Sequence, residues 1–439
     1  MARMASILHF LVISLCCSFL FFLSESQTDP QSHGAPNTRN KPNLLVLPVQ
    51  HDASSGLHWA NIHKRTPLMQ VPVLVDLNGK HLWVNCDQHY SSSTYQAPFC
   101  HSTQCSRANT HLCHTCVSAS RPGCHNNTCG LMSSNPVTEE TGIGELAQDV
   151  LAIQTTTNTR GSRLGPMVRV PQFLFSCAPS FLAQKGLPNN VQGVAGLGHA
   201  PISLPNQLSS YFGLQRQFTM CLSRNPSSNG AILFGDAPNN MRYNQDIFHD
   251  LAYTPLTISP HLGEYYIQIT SIRINQHNVV PFNPTMLSSN PEGVMGGTLI
   301  TTTAPYTVLH ESIFETFAKL YANQIPRQAQ VNAVGPFGLC FDSKRMGAAA
   351  PYVDLVMDKP NVVWRISGEN LMVQARPGVT CLGIVNGGKN ARAPIAIGAR
   401  QLEENVVVVD LARSRLGFST SLQSHGKKCA DLFDFNNPA

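Results

Sequence analysis

The densest chemistry in the chain lies between Cys100 and Cys129. There Cys100, Cys105, Cys113, Cys116, Cys124 and Cys129 stand among His101, His111, His114 and His125. In a reducing compartment Cys113-x-x-Cys116 beside these histidines reads as a zinc site; in an oxidising one the same sulfurs pair with each other. Asn126-Asn127-Thr128 in the same stretch is a glycosylation sequon, and its surface setting suits attachment at Asn126. Asp76 is the other chemical landmark. It closes the apolar run Val73-Leu-Val and precedes Leu77-Asn-Gly79. A lone carboxylate there reads as an acceptor for backbone N–H groups of a turn; acid–base work on a carbonyl needs a second carboxylate beside it to share one proton.

The amino terminus decides between the two readings of the cysteines. Arg3, an apolar run from Ile7 to Leu23 and small residues at Ser24 to Ser26 form a secretory signal over 1–26. Cys16 and Cys17 depart with it, leaving twelve of 14 cysteines (86, 100, 105, 113, 116, 124, 129, 177, 221, 340, 381 and 429) for an oxidising route. Disulfides are therefore favoured over a metal. No later segment has the ~18 consecutive apolar residues that span a bilayer, so no membrane anchor is expected. The net charge of +5 comes from scattered Lys and Arg rather than a basic stripe, which argues against nucleic acid. The 17 His suit weak surface chelation of divalent metals without defining a site, and no cofactor motif is present.

The elements that position these residues read as strands. Charged residues make up 13 %, Gly and Pro number 31 and 30, and Val, Thr and Ser recur in short runs, which points to an all-β chain. A length of 439 residues allows more than one lobe. After a polar leader at 27–41, strand patterns begin at Asn43 and include Met69–Asp76 and Lys80–Val84. The intervening Asn78-Gly79 predicts a hairpin. Strands recur at Gly144–Ile153, Gln172–Cys177 and Ala231–Gly235, and again from Tyr265, Ser271, Thr298, Val362 and Asn405. Helices are expected over Leu204–Phe212 and Ser312–Asn323. The boundary between an amino-terminal lobe, 42–240, and a carboxy-terminal one, 241–439, falls in a stretch rich in Asn, Asp and Pro. A second break at 283–297 reads either as a plain loop or as a processing site. Nine mature cysteines precede it and three follow, both odd, so full pairing within one chain requires at least one disulfide across it.

Four segments in register resemble the pepsin-like aspartic proteases of plants: Val73–Gly79 with Leu82–Cys86, Gly193–Pro205, Gly297–Leu309, and Ile395–Gly398 with Val406–Phe418. The resemblance implies a bilobal pepsin-like fold with a few short helices. Asp76 and Thr301 then fall at the two catalytic positions. A hydroxyl of very high pKa neither shares the proton nor polarises a carbonyl comparably, so the dyad is vestigial and no enzyme activity is expected. Asp342 and Asp354 could replace the missing partner, but neither lies in a matching motif, and no flap tyrosine precedes Thr141.

Gly56–Met69, Tyr95–Asn109 and Trp364–Val373 narrow the resemblance to the legume gamma-conglutin and basic 7S globulin type. That implies a sulphur-rich seed globulin of storage or defence, secreted to the apoplast or held in a storage vacuole. It also implies cleavage into disulfide-linked subunits and assembly as a homo-oligomer. Cys221–Cys429 and Cys340–Cys381 are the pairings the resemblance implies. Relatives of this type inhibit microbial xylanases or xyloglucan endoglucanases by placing a basic side chain between the glycosidase carboxylates. Arg392 lies in a loop matching one inhibitory element, and Arg327 lies near the other, at 325–334. The alternative partner is accordingly a microbial glycoside hydrolase.

Overall fold

The computed structural model describes residues 41–87, 90–156, 163–241, 248, 250–288, 297–347 and 349–432. The predicted signal, the leader up to residue 40 and the centre of the second break, 289–296, lie outside them. Residues from Pro42 onward form one compact unit.

The expected all-β architecture is present, and its two lobes repeat one strand motif. In the first lobe, Met69–Asp76 runs parallel to Gly193–Gly196, which lies antiparallel to Trp83–Asn85, which in turn runs parallel to Leu164–Ala178. In the second, Thr298–Ile300 runs parallel to Ile395–Ile397, which lies antiparallel to Thr307–Leu309, which runs parallel to Ile384–Asn386. The strands are short apolar runs, buried along most of their length, as expected of strands covered on both faces. Asp76 ends the first strand of one motif, and Thr301 follows the first strand of the other. The two residues thus occupy equivalent positions in the duplicated topology.

This arrangement corrects the predicted hairpin at Asn78-Gly79. The strands on either side of that turn do not pair with each other, because Gly193–Gly196 is wedged between them. Glycine is required on both sides of the wedge: a Cβ on Gly79 would stand 2.7 Å from the Gly196 Cα, and one on Gly196 would stand 2.5 Å from the Gly79 oxygen. The turn serves the other lobe instead. The Asn78 side chain donates to the Ile300 carbonyl at 2.8 Å and accepts from the Tyr265 N–H at 3.0 Å.

A fourteen-stranded sheet ties the halves together. Val406–Asp410, near the end of the chain, pairs antiparallel with Gln217–Cys221 and with Arg415–Phe418, and Arg415–Phe418 pairs with Ala252–Pro255. Val406 to Val409 are all fully buried, and each contributes about 1.5–3 kcal/mol by leaving water. The helix Leu204–Phe212 has the expected bounds and stops at Gly213, whose φ of +70° gives the left-handed cap that glycine favours. The second helix runs over Glu311–Ala322, one residue earlier than predicted, because the His310 side chain accepts from the Ser312 N–H and fixes its start.

Candidate functional site

Between the two motifs lies a cleft of about 380 Å³ lined by Asp76, Thr301, Thr303, Glu264 and Arg392 and by the hairpin residues Ser134 to Pro136, Glu139 and Thr141. The hairpin joins the strands Thr128–Ser134 and Thr141–Thr156 and is held over the cleft by the Trp83 indole, which donates to the Ser134 carbonyl at 3.0 Å. No tyrosine is among the described residues lining the cleft.

Asp76 is buried, and its Oδ1 accepts from the Asn78 N–H at 2.9 Å. Burial pushes its carboxyl up to about 6, against the opposing pull of the Asn78 N–H, the Arg392 guanidinium and the Gly79 N–H. Thr301 is equally buried. Its N–H donates to the Ile397 carbonyl at 2.9 Å, its hydroxyl lies 3.0 Å from that of Thr303, and it accepts from the Thr303 N–H at 3.2 Å. The second position therefore offers a hydroxyl engaged in its own turn. Asp354 is held by the Arg365 guanidinium at 2.7 and 2.9 Å, and Asp342 lies beside Arg345. Neither lines the cleft, so neither supplies a second carboxylate.

Beneath the cleft the lobes are joined by a hydroxyl. Thr302, fully buried, donates to the Val75 carbonyl at 2.7 Å and accepts from the Leu77 N–H at 3.0 Å. Leu77, at the equivalent position in the first lobe, has no polar atom to return the contact. The Asn78 amide one residue on takes that part through its bond to Ile300. This interlobe role of Asn78 was missed in the sequence, where Asn-Gly read as turn chemistry alone.

Arg392 does not stand free. Its guanidinium turns into the cleft and pairs with the buried Glu264, whose other oxygen accepts from the Tyr266 hydroxyl at 2.8 Å. Glu264 carried no sequence signal because it precedes an ordinary strand, Tyr265–Ile267. Arg327 is exposed and begins a short turn, Arg327–Ala329, anchored by the buried Ala329.

The cysteine-rich excursion contains the disulfides Cys100–Cys113, Cys105–Cys129 and Cys116–Cys124, while Cys86–Cys177 links the end of Trp83–Asn85 to its partner strand Leu164–Ala178 within the lobe. Cys221–Cys429 and Cys340–Cys381 complete the six. Cys113 and Cys116 bond elsewhere, not to each other. Although the His101 Nε2 lies 3.6 Å from the Cys113 sulfur, a disulfide sulfur is no thiolate and does not hold zinc. His125 is committed to the buried Glu145 at 3.0 Å. A second cluster, His51, His58 and Glu403, has the proximity of a metal site. However, the Arg224 and Arg400 guanidinium groups already hold one oxygen of Glu403 at 3.3 and 3.0 Å and would repel a cation. Asn126 is exposed, while the Thr128 hydroxyl of the same sequon is buried against Glu145 at 3.1 Å.

Among the described residues no helix is long and apolar enough to cross a membrane. Two family models cover most of the chain: the N-terminal xylanase inhibitor domain over residues 58–236 and the C-terminal xylanase inhibitor domain over 264–420. Gamma conglutin 1 of Lupinus angustifolius is 68% identical over 454 residues, covering 100% of both chains. Basic 7S globulin 2 of Glycine max is 68% identical over 440 residues, 99% of this chain and 100% of its own. The crystal structure of conglutin gamma, a basic 7S globulin from lupine seeds, matches with a TM-score of 0.84 at 68% identity over 90% of this chain and 100% of its own. Full-length identity, the paired domains and the duplicated strand motif agree: the chain belongs to the gamma-conglutin and basic 7S globulin family, built on the bilobal pepsin-like fold.

Proposed function

We propose that this chain is a non-proteolytic, sulphur-rich seed globulin of storage or defence. The observation that carries the reading is Thr301 at the position equivalent to Asp76. Among the described residues Asp76 is hydrogen-bonded to no second carboxylate, and Glu264 of the same cleft is engaged by Arg392 and the Tyr266 hydroxyl, so the paired-carboxylate chemistry lacks its second member. The family membership supports the globulin assignment. With it go secretion behind the 1–26 signal to the apoplast or a storage vacuole, glycosylation at Asn126, cleavage within 283–297 into linked subunits, and homo-oligomeric assembly. Weak divalent-metal binding belongs to dispersed surface histidines.

The second reading is inhibition of a microbial xylanase or xyloglucan endoglucanase, favoured by the match to xylanase inhibitor domains. Arg392 is the residue on which it depends, and the ion pair with Glu264 opposes it. To reach a glycosidase carboxylate, that guanidinium must first leave a buried partner.

One assay separates the readings. Purified mature protein is titrated against fungal xyloglucan endoglucanases and xylanases, with Arg392→Ala alongside, and peptide cleavage at acid pH is followed with and without pepstatin. The globulin reading expects neither inhibition nor cleavage. Inhibition lost in Arg392→Ala would establish the second reading, and pepstatin-sensitive cleavage would overturn both.

A further inference from the structure

We propose that the groove beside the Asp76 cleft is a binding site for a short oligosaccharide of uronic acids. This groove encloses about 850 Å³, toward the upper end of the ~300–1,000 Å³ typical of ligand clefts. Its floor is apolar: Ala108, Leu131 and Ile202 are buried in one cluster with the Cys105–Cys129 disulfide. Two segments from different lobes supply its sides, the excursion loop 109–112 and the turn 258–263. The second is fastened to the first lobe where the His199 N–H donates to the Gly263 carbonyl at 3.3 Å.

The charge pattern of the groove selects the ligand. Its ionisable lining residues are Lys80, His81, His111, His199 and His261; among the described residues lining it, none is Asp or Glu. A cleft lined by one sign of charge over low-dielectric walls focuses the field on an oppositely charged ligand. His81 is buried, held 3.1 Å from the Ser133 hydroxyl, and burial pushes its imidazole down to about 4, so it acts as a neutral wall. Lys80, His111 and His261 are exposed, and with Asn109 they present donors. The neighbouring cleft differs. It shares Lys80, His81, Met132 and Leu262 with the groove but adds three carboxylates, Asp76, Glu139 and Glu264, against one guanidinium, Arg392, which is already paired with Glu264. An anion passing beyond Lys80 therefore meets carboxylates.

Two features favour a uronate chain over other ligands. No Phe, Tyr or Trp lines the groove, so a neutral sugar finds no aromatic platform and recognition rests on charge. An extended acidic peptide turns alternate side chains to opposite faces, so only every second residue can direct a carboxylate at the lining. A uronate oligomer is rich in acceptors and carries a carboxylate on every ring.

The test is titration calorimetry of the purified full chain, at mildly acidic pH and low ionic strength, with a galacturonate oligomer. Its fully methyl-esterified form and a peptide of alternating Asp and Leu serve as comparisons. The free-acid oligomer should bind at least about tenfold more tightly than the ester, and added salt should weaken it. Lys80→Glu and His111→Glu, on separate segments and both exposed, should each weaken it severalfold with an unchanged melting temperature. Equal binding of acid and ester, or indifference to both charge reversals, would overturn the assignment. Tight binding of the peptide with none of the uronate would replace it with a peptide site.

Discussion

Replacing Thr302 by valine removes a hydroxyl while keeping the shape of the side chain. The hydroxyl is the donor to the Val75 carbonyl and the acceptor for the Leu77 N–H, across the junction between the lobes. Thr302, Val75 and Leu77 are all fully buried, so water does not replace what is lost. Each buried polar group left without its partner costs about 1–3 kcal/mol, and two are left, which puts the Thr302→Val loss at roughly 2–6 kcal/mol. Thr302→Ser keeps both hydrogen bonds, gives up one methyl group and should cost about 1 kcal/mol. Urea unfolding followed by the fluorescence of Trp59, Trp83 and Trp364 reads both variants, with the difference taken from midpoints at unchanged slope. Asn78→Ala should add its own loss, because its amide bonds to Ile300 and Tyr265 belong to the same junction. If Thr302→Val falls within about 0.5 kcal/mol of Thr302→Ser, the hydroxyl does not hold the lobes together and this account of the junction is wrong.

Two other outcomes are expected. Lys64 is fully buried, its ammonium 3.5 Å from the Phe175 ring centroid, and burial pushes its pKa down to about 7. The unfolded chain binds a proton there up to its ordinary value near 10.5, so the folding penalty is full below pH 7 and fades as pH rises from 7 toward 10.5. Lys64→Met should therefore stabilise by about 1–4 kcal/mol at neutral pH and by little near pH 10, as thermal melts across that range would show. Asp149 remains satisfied by the Tyr90, Ser92 and Thr94 hydroxyls. Limited proteolysis within 283–297 should give two fragments that run together on a non-reducing gel and separate on reduction. Cys221→Ser should separate them without reductant, since Cys221–Cys429 is the disulfide that spans that segment.

Much of the architecture was legible because short apolar runs between turn residues specify buried strands whichever neighbours they take. The apolar runs at Met69–Asp76, Thr298–Ile300 and Val406–Asp410 are strands for that reason. Pairing was less legible. Asn78-Gly79 has the local form of a hairpin, and only a segment more than a hundred residues later, Gly193–Gly196, decides that it is not one. At the cleft, Asp76 and Thr301 could be placed because each ends an apolar run at a turn. Glu264 could not, since its importance comes from a guanidinium 128 residues away. For the same reason Arg392 could be located but its partner could not: the sequence placed it in a surface loop, and the structure leaves the side chain exposed there but sets its guanidinium against Glu264.

The pairing of Val406–Asp410 with Gln217–Cys221 bears on how the molecule is made. A ribosome releases the first lobe long before the strand that flanks it has been synthesised, and Cys429, the partner of Cys221, emerges later still. Until then the nascent chain exposes an open strand edge and an unpaired thiol, both liable to misjoining. Domains of many large chains settle one after another during translation; here the first must wait for Val406–Asp410 and Cys429, about two hundred residues beyond their partners. Any cut within 283–297 made before that closure would strand the amino-terminal part without its flanking strand, so the proposed cleavage is productive only after folding.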